Sequence, residues 1–91
     1  MFKYEWDQAK AKANHRKHGV SFEEALSVFG DANALTFADL DHSETEERSR
    51  TFGVSNLQRL LVVIHTDRRH GIRIISARKA TKHEENIYHN G

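Results

Sequence analysis

The chain has no cysteine, which excludes disulfides and thiolate metal sites. It also lacks a long apolar run. The longest, Leu60 to Ile64, has five residues, far short of the ~20 that cross a bilayer. The opening Met1-Phe2-Lys3-Tyr4-Glu5-Trp6 has no signal-peptide pattern, so a cytoplasmic protein without membrane association is expected. Gly19, Gly30, Gly53 and Gly71 are dispersed, and no glycine-rich loop is present to cradle a phosphate. Ser76 lacks the G-x-S-x-G context of a serine nucleophile. The seven histidines include no HExxH pair. His15 and His18 have neither a cysteine nor a local carboxylate to complete a site, so no metal and no cofactor is expected.

What is present fits one small domain over residues 1–91, with 37% hydrophobic and 30% charged residues. The net charge of +1 hides a segregation. Residues 1–20 sum to +3, residues 21–47 to −8 without a single Lys or Arg, and residues 48–91 to +6. One reading is that solvated faces happen to sort this way; the other is a basic face for a polyanion, with the acidic segment turned elsewhere.

The pattern along the chain predicts β-α-α-β-β-β-β-α. Phe2, Tyr4 and Trp6 alternate with charged residues, as in a short strand with three aromatics pointing inward. Asp7 can cap a first helix whose apolar positions are Ala9 and Ala13 and whose end is cationic. Gly19 suits a left-handed stop, with Val20 making the accompanying hydrophobic contact. Ser21 and Glu24 have capping-box spacing. Phe22, Ala25, Leu26 and Phe29 then form the stripe of a second helix, which Gly30-Asp31 ends. Residues 34–38 are a weak strand, and Asp39 to Glu47 an acidic loop. Arg48 to Val54, with Arg48, Arg50, Phe52 and Val54 on one face, makes a further strand. Thr81 can cap a last helix over Lys82 to His89. The fold class is α+β, with a mostly antiparallel sheet.

The most informative stretch is Ile72 to Thr81, which with Leu60–Thr66 reads as a hairpin turning at Arg68-Arg69-His70-Gly71. An even-length loop, favoured because Gly71 suits a type I′ turn, would put His65 on one face with Ser76, Arg78, Leu61, Val63 and Ile74. That juxtaposition would suit RNA cleavage. Histidine moves protons near neutral pH, and arginine binds phosphate through two donors. His65, Arg78 and a helix lysine such as Lys10 are therefore candidate catalytic residues, and Arg48, Arg68, Arg73 and Lys79 candidate RNA contacts. The alternatives are a structural His65 and an Arg78 that ties the hairpin to Glu84 or Glu85. Composition and spacing do not choose between cutting and binding, and a non-catalytic RNA- or protein-binding module stays open.

The sequence resembles the BrnT toxins of type II toxin–antitoxin systems, which share the RelE-like ribonuclease fold. The residues that carry this include Trp6-Asp7, Lys10, Asn14, Lys17 to Ala25, Val28 to Asp31, Arg59 to Val63, His65-Thr66, Ile72 to Thr81, Glu84 and Tyr88. The resemblance implies two N-terminal helices packed on the sheet and a C-terminal helix. It also implies an RNA-cleaving toxin that slows translation and is neutralised by a ribbon-helix-helix antitoxin, with operator DNA bound only through the complex. It adds Arg59 to the catalytic candidates Arg78, His65 and Lys10. The chain departs from several members at Gln58, where they carry Gly, and at Glu85-Asn86, where arginines are common.

Overall fold

Side-chain oxygens set the helix starts. In the computed structural model, which describes residues 1–40 and 47–91, Asp7 Oδ1 accepts from the Lys10 amide at 3.0 Å and opens α1 (Gln8–His18). Gly19, at φ +70°, ends it. Ser21 caps α2 (Phe22–Ser27), which runs on into a 3-10 turn (Val28–Gly30). Before α1 lies β1 (Lys3–Glu5). After the turn come β2 (Leu35–Ala38), β3 (Ser49–Val54), β4 (Leu60–Arg68), β5 (Gly71–Lys79) and α3 (Lys82–Asn90). The expected element order and α+β class hold.

The described strands form one sheet ordered β1-β5-β4-β3-β2, antiparallel except where β1 runs parallel to β5 at the edge. Val20, Phe22, Ala25 and Val28 close over Leu61, Val63, Ile74 and Ala77 to make the core. The other face carries Phe52 and Val62, both buried, and α3 lies across β3 there. No helix of the described residues is long and apolar enough to cross a membrane.

Several local expectations change. Trp6 packs on the helical layer edge-on to Phe22 at 5.9 Å, and Tyr4 meets Phe29 there at 5.6 Å. Phe2 and Tyr4 stay 56% and 39% exposed because β1 is a three-residue edge strand. The inward position of α1 is Asn14, not Ala9 or Ala13. Its Nδ2 donates to the carbonyls of Val20 and Ala77 at 2.9 and 2.8 Å, and its Oδ1 accepts from the Ala77 amide at 3.1 Å. β1 pairs only with Gly71 to Arg73, so Asn14 satisfies the β5 backbone where no strand continues. The Ser21 half of the expected capping box forms, but Glu24 turns instead to Arg59 and Ser55. A complete box sits at Thr81 and Glu84. Of the acidic loop, residues 41–46 lie outside the described residues; Asp39 is 1% exposed.

The β4–β5 hairpin carries the most consequential change. Its loop is Arg69-His70, of even length, and His65 lies opposite Ile74 as expected. Neither loop residue has a positive φ, so the turn is not type I′. Between Ile64 and His65 the register shifts, so that Ile64 pairs with Ser76 and Val62 with Arg78. Ile75 is the extra residue, and a one-residue bulge flips every later side chain to the other face. Leu61, Val63, His65, Ile74 and Ala77 therefore face α1 and α2. Ser76 and Arg78 face α3, and the expected pairing of His65 with Arg78 is overturned.

Candidate active site

The helical side of the sheet holds His65 shut. It is 2% exposed and edge-on to Phe29 at 5.0 Å. Its Nδ1 lies 2.8 Å from Asp67 Oδ1 and its Nε2 2.7 Å from Thr51 Oγ1, which in turn meets Thr36 Oγ1 at 2.8 Å. Burial lowers its pKa below the ordinary imidazole value, against the opposing pull of Asp67. The neutral ring satisfies the chain: Nδ1–H donates to Asp67, and Nε2 accepts from Thr51. Both nitrogens are thereby occupied.

Arg78 stands on the opposite face. Its Nη1 and Nη2 donate to Glu84 Oε1 and Oε2 at 2.7 and 2.9 Å, and Nη1 also reaches the Lys79 carbonyl at 3.3 Å. The Arg78 fork holds the Glu84 carboxyl down at about 2. Glu84 thus takes the end of the guanidinium, leaving Nε–H and a second Nη2–H without an acceptor among the described residues. Those two donors form a second fork of the spacing that carboxylate and phosphate oxygens fit. With its side chain 36% exposed, Arg78 is within a ligand's reach.

Next to it, α3 and the β2–β3 ribbon enclose a cleft of about 480 Å³. Phe37, Phe52 and Ile87 supply its apolar wall, while Arg50, His83 and Glu84 supply the polar one. Arg50 is only loosely tied to Asp39, at 3.9 Å, and its Nε finds no acceptor among the described residues. His83, which the sequence reading did not single out, is exposed there. Its signal was available: it lies in the first turn after the Thr81 cap, one position before the residue that clamps Arg78. Two contacts fix α3 above the cleft. Glu84 holds its start, and Tyr88 donates to Asp31 Oδ2 at 2.6 Å near its end.

The remaining candidates are scattered. Arg59 donates through Nε and Nη2 to the Glu24 carboxylate and through Nη2 to the Gly19 carbonyl. Glu24 also accepts from Ser55 at 2.7 Å, and these bonds, that from Arg59 foremost, lower its pKa. Sequence reading did not foresee this pair because 35 residues separate its members. Lys79, opposite Leu61, belongs to that end of the hairpin. Arg73 faces the α3 side opposite Thr66, 4.0 Å from Glu5. Arg48 immediately precedes β3, in step with Arg50. Arg68 is exposed at the hairpin tip, and Lys10 is exposed on α1. Among the described residues no group of three His, Asp or Glu could hold a metal ion.

Comparison with known proteins agrees with this architecture. The crystal structure of the ribonuclease toxin BrnT of Brucella abortus superposes with a TM-score of 0.64 at 27% sequence identity, covering 90% of this chain and all of that one. No curated protein matches the chain. The family model described as "Ribonuclease toxin, BrnT, of type II toxin-antitoxin system" matches residues 6–84. With the fold, the family model and the neighbouring structure in agreement, the chain belongs to the BrnT family of ribonuclease toxins.

Proposed function

We propose that this protein is a metal-independent endoribonuclease that slows translation until a cognate ribbon-helix-helix antitoxin covers it. The ribonuclease class follows from the family. The observation that carries the residue assignment is the open fork of Arg78, braced by Glu84, which lines a cleft together with Arg50 and His83. In this reading the fork holds the scissile phosphate, and Arg50 adds positive charge as the phosphorane develops. The 2′-hydroxyl loses its proton as its oxygen attacks phosphorus, and the 5′-oxygen leaves with a proton, giving a 2′,3′-cyclic phosphate and a 5′-hydroxyl end; water can then open the cyclic ester to a 3′-phosphate. His83 is placed to move a proton in the cleft, a role the sequence suggested for His65. His65 instead braces β3 against β4. Arg48, Arg68, Arg73 and Lys79 contact the RNA backbone away from the reacting centre. Arg59 and Lys10 lie outside that centre, Arg59 as the partner of Glu24. Operator DNA is bound only through the antitoxin complex.

Arg78→Ala should lower kcat on single-stranded RNA about 100-fold or more, as loss of a charge-stabilising donor does, and EDTA should leave wild-type cleavage unchanged. Undiminished cutting by Arg78→Ala would refute the assignment. A salt-sensitive RNA complex without any cleavage product would favour a binding module instead.

A further inference from the structure

We propose that the cleft between α3 and the β2–β3 ribbon is a nucleobase subsite, in which one unstacked RNA base lies on the Phe37 ring. The proposal deepens the ribonuclease reading above and rests on it for the identity of the ligand.

Phe37 is 43% exposed on an edge strand, directly opposite Arg50 in the register. Behind it stands Phe52, 3% exposed, with ring centroids 5.4 Å apart and planes inclined at 55°. The buried ring props the exposed one, so Phe37 is a fixed aromatic surface and not a loose apolar tip. Its volume of about 480 Å³ puts the cleft in the range of small-ligand sites, roughly 300–1,000 Å³. Its chemistry is mixed in a specific way. One wall is aromatic and aliphatic, through Phe37 and Ile87, and the other carries Arg50 and His83. Arg78 lies just behind Glu84, with its spare fork.

Single-stranded RNA asks for that combination. Every base has a π-face that stacks on an aromatic ring, and every base is tethered to a phosphate that seeks a guanidinium. A purely apolar peptide would leave Arg50 and Glu84 of this cleft desolvated, at a cost. A nucleotide satisfies both walls at once, and Glu84 and His83 offer an acceptor and a donor to the edge of the base. The subsite would also register the strand, since a base held on Phe37 places its own phosphate toward Arg50 and Arg78.

The test uses the full-length protein and a 2′-O-methyl RNA oligonucleotide carrying one 2-aminopurine. That strand cannot be cleaved through its 2′-oxygen, so binding is read independently of activity. Wild type should bind it and quench the fluorophore by stacking. Phe37→Leu should lose most of the quenching and bind about tenfold more weakly, within what one base–aromatic stack contributes. Phe37→Trp should restore both. Equal affinity and quenching in wild type and Phe37→Leu would overturn the subsite, as would wild type that fails to bind the strand. So would a Phe37→Leu variant that binds RNA normally but loses its hold on purified antitoxin, which would make the cleft a protein-docking surface. Wild type that quenches but never cuts RNA would sink the ribonuclease reading and leave the subsite standing.

Discussion

Gln58 is the one residue besides glycine at positive φ among the described residues, at +60°. The Gln58 amide donates to the Ser55 carbonyl at 3.0 Å, and the Ser55 amide to the Arg59 carbonyl at 2.8 Å. This is a three-residue hairpin loop whose last position must be left-handed, a conformation that glycine adopts without steric cost. A side chain there costs about 1–2 kcal/mol, part of which glycine's extra unfolded freedom offsets. Gln58→Gly should therefore stabilise the protein by about 0.5–1 kcal/mol, read as a higher urea midpoint. A lower midpoint would show the turn to be unstrained. Glu84 makes a different prediction. Its carboxyl is lowered from 4.5 to about 2 in the fold, so the stability from its pair with Arg78 is fully present above pH 4.5 and lost as pH falls toward 2. Glu84→Gln should be less stable than wild type at neutral pH and should flatten the acid dependence in that window. Urea midpoints for both proteins, taken above pH 4.5 and near pH 2, check this. Glu24, also lowered, leaves the variant a residual slope of the same sign.

At the scale of elements, the parallel edge strand depends on Gly71. A Cβ there would sit 2.0 Å from the Lys3 carbonyl oxygen, a backbone atom of β1. Gly71 is thus required by close approach and not by its turn: its φ is not positive, contrary to the expectation from a type I′ loop. Gly71→Ala should push β1 off the sheet, costing about 1–3 kcal/mol and exposing the first residues to limited proteolysis. Unchanged protection of the Lys3–Glu5 amides from hydrogen exchange would contradict it. The α3 helix is held by side chains more than by apolar area, with Glu84 and Tyr88 as its two fastenings. Its cap was legible from Thr81 and Glu84. Which surface it covers was not, because that depends on the bulge at Ile75, and a single extra residue leaves no mark in a run of alternating apolar and charged side chains.

For the whole molecule, the charge segregation has two outcomes. Part of the acidic middle turns inward to the basic half: Glu24 meets Arg59, and Asp39 meets Arg50. The expectation that the acidic segment simply faces elsewhere is corrected to that extent. Arginines that keep unspent donors, Arg78 and Arg50, are left on the α3 face. RNA binding there should release counterions. If about four phosphates are contacted, affinity for single-stranded RNA should fall about 50-fold between about 50 and about 200 mM salt. A flat salt dependence in fluorescence anisotropy would argue against a phosphate-binding face.

Hydrophobic period, caps and glycine placement determined the elements and their order, because those preferences act within a few residues of chain. The residue pattern also carried the family, since its matching motifs stand in order along nearly the whole sequence. Tertiary structure alone decided which chemistry shares a surface. The bulge at Ile75 sends Arg78 to the α3 side and leaves His65 sealed against Phe29. Chain folding then brings Phe37, Arg50 and His83 together from segments whose separation in sequence gave no sign of it. The stretch from Ile72 to Thr81 was legible as basic and central, but the face on which its arginine acts was fixed only when a neighbouring strand set the register.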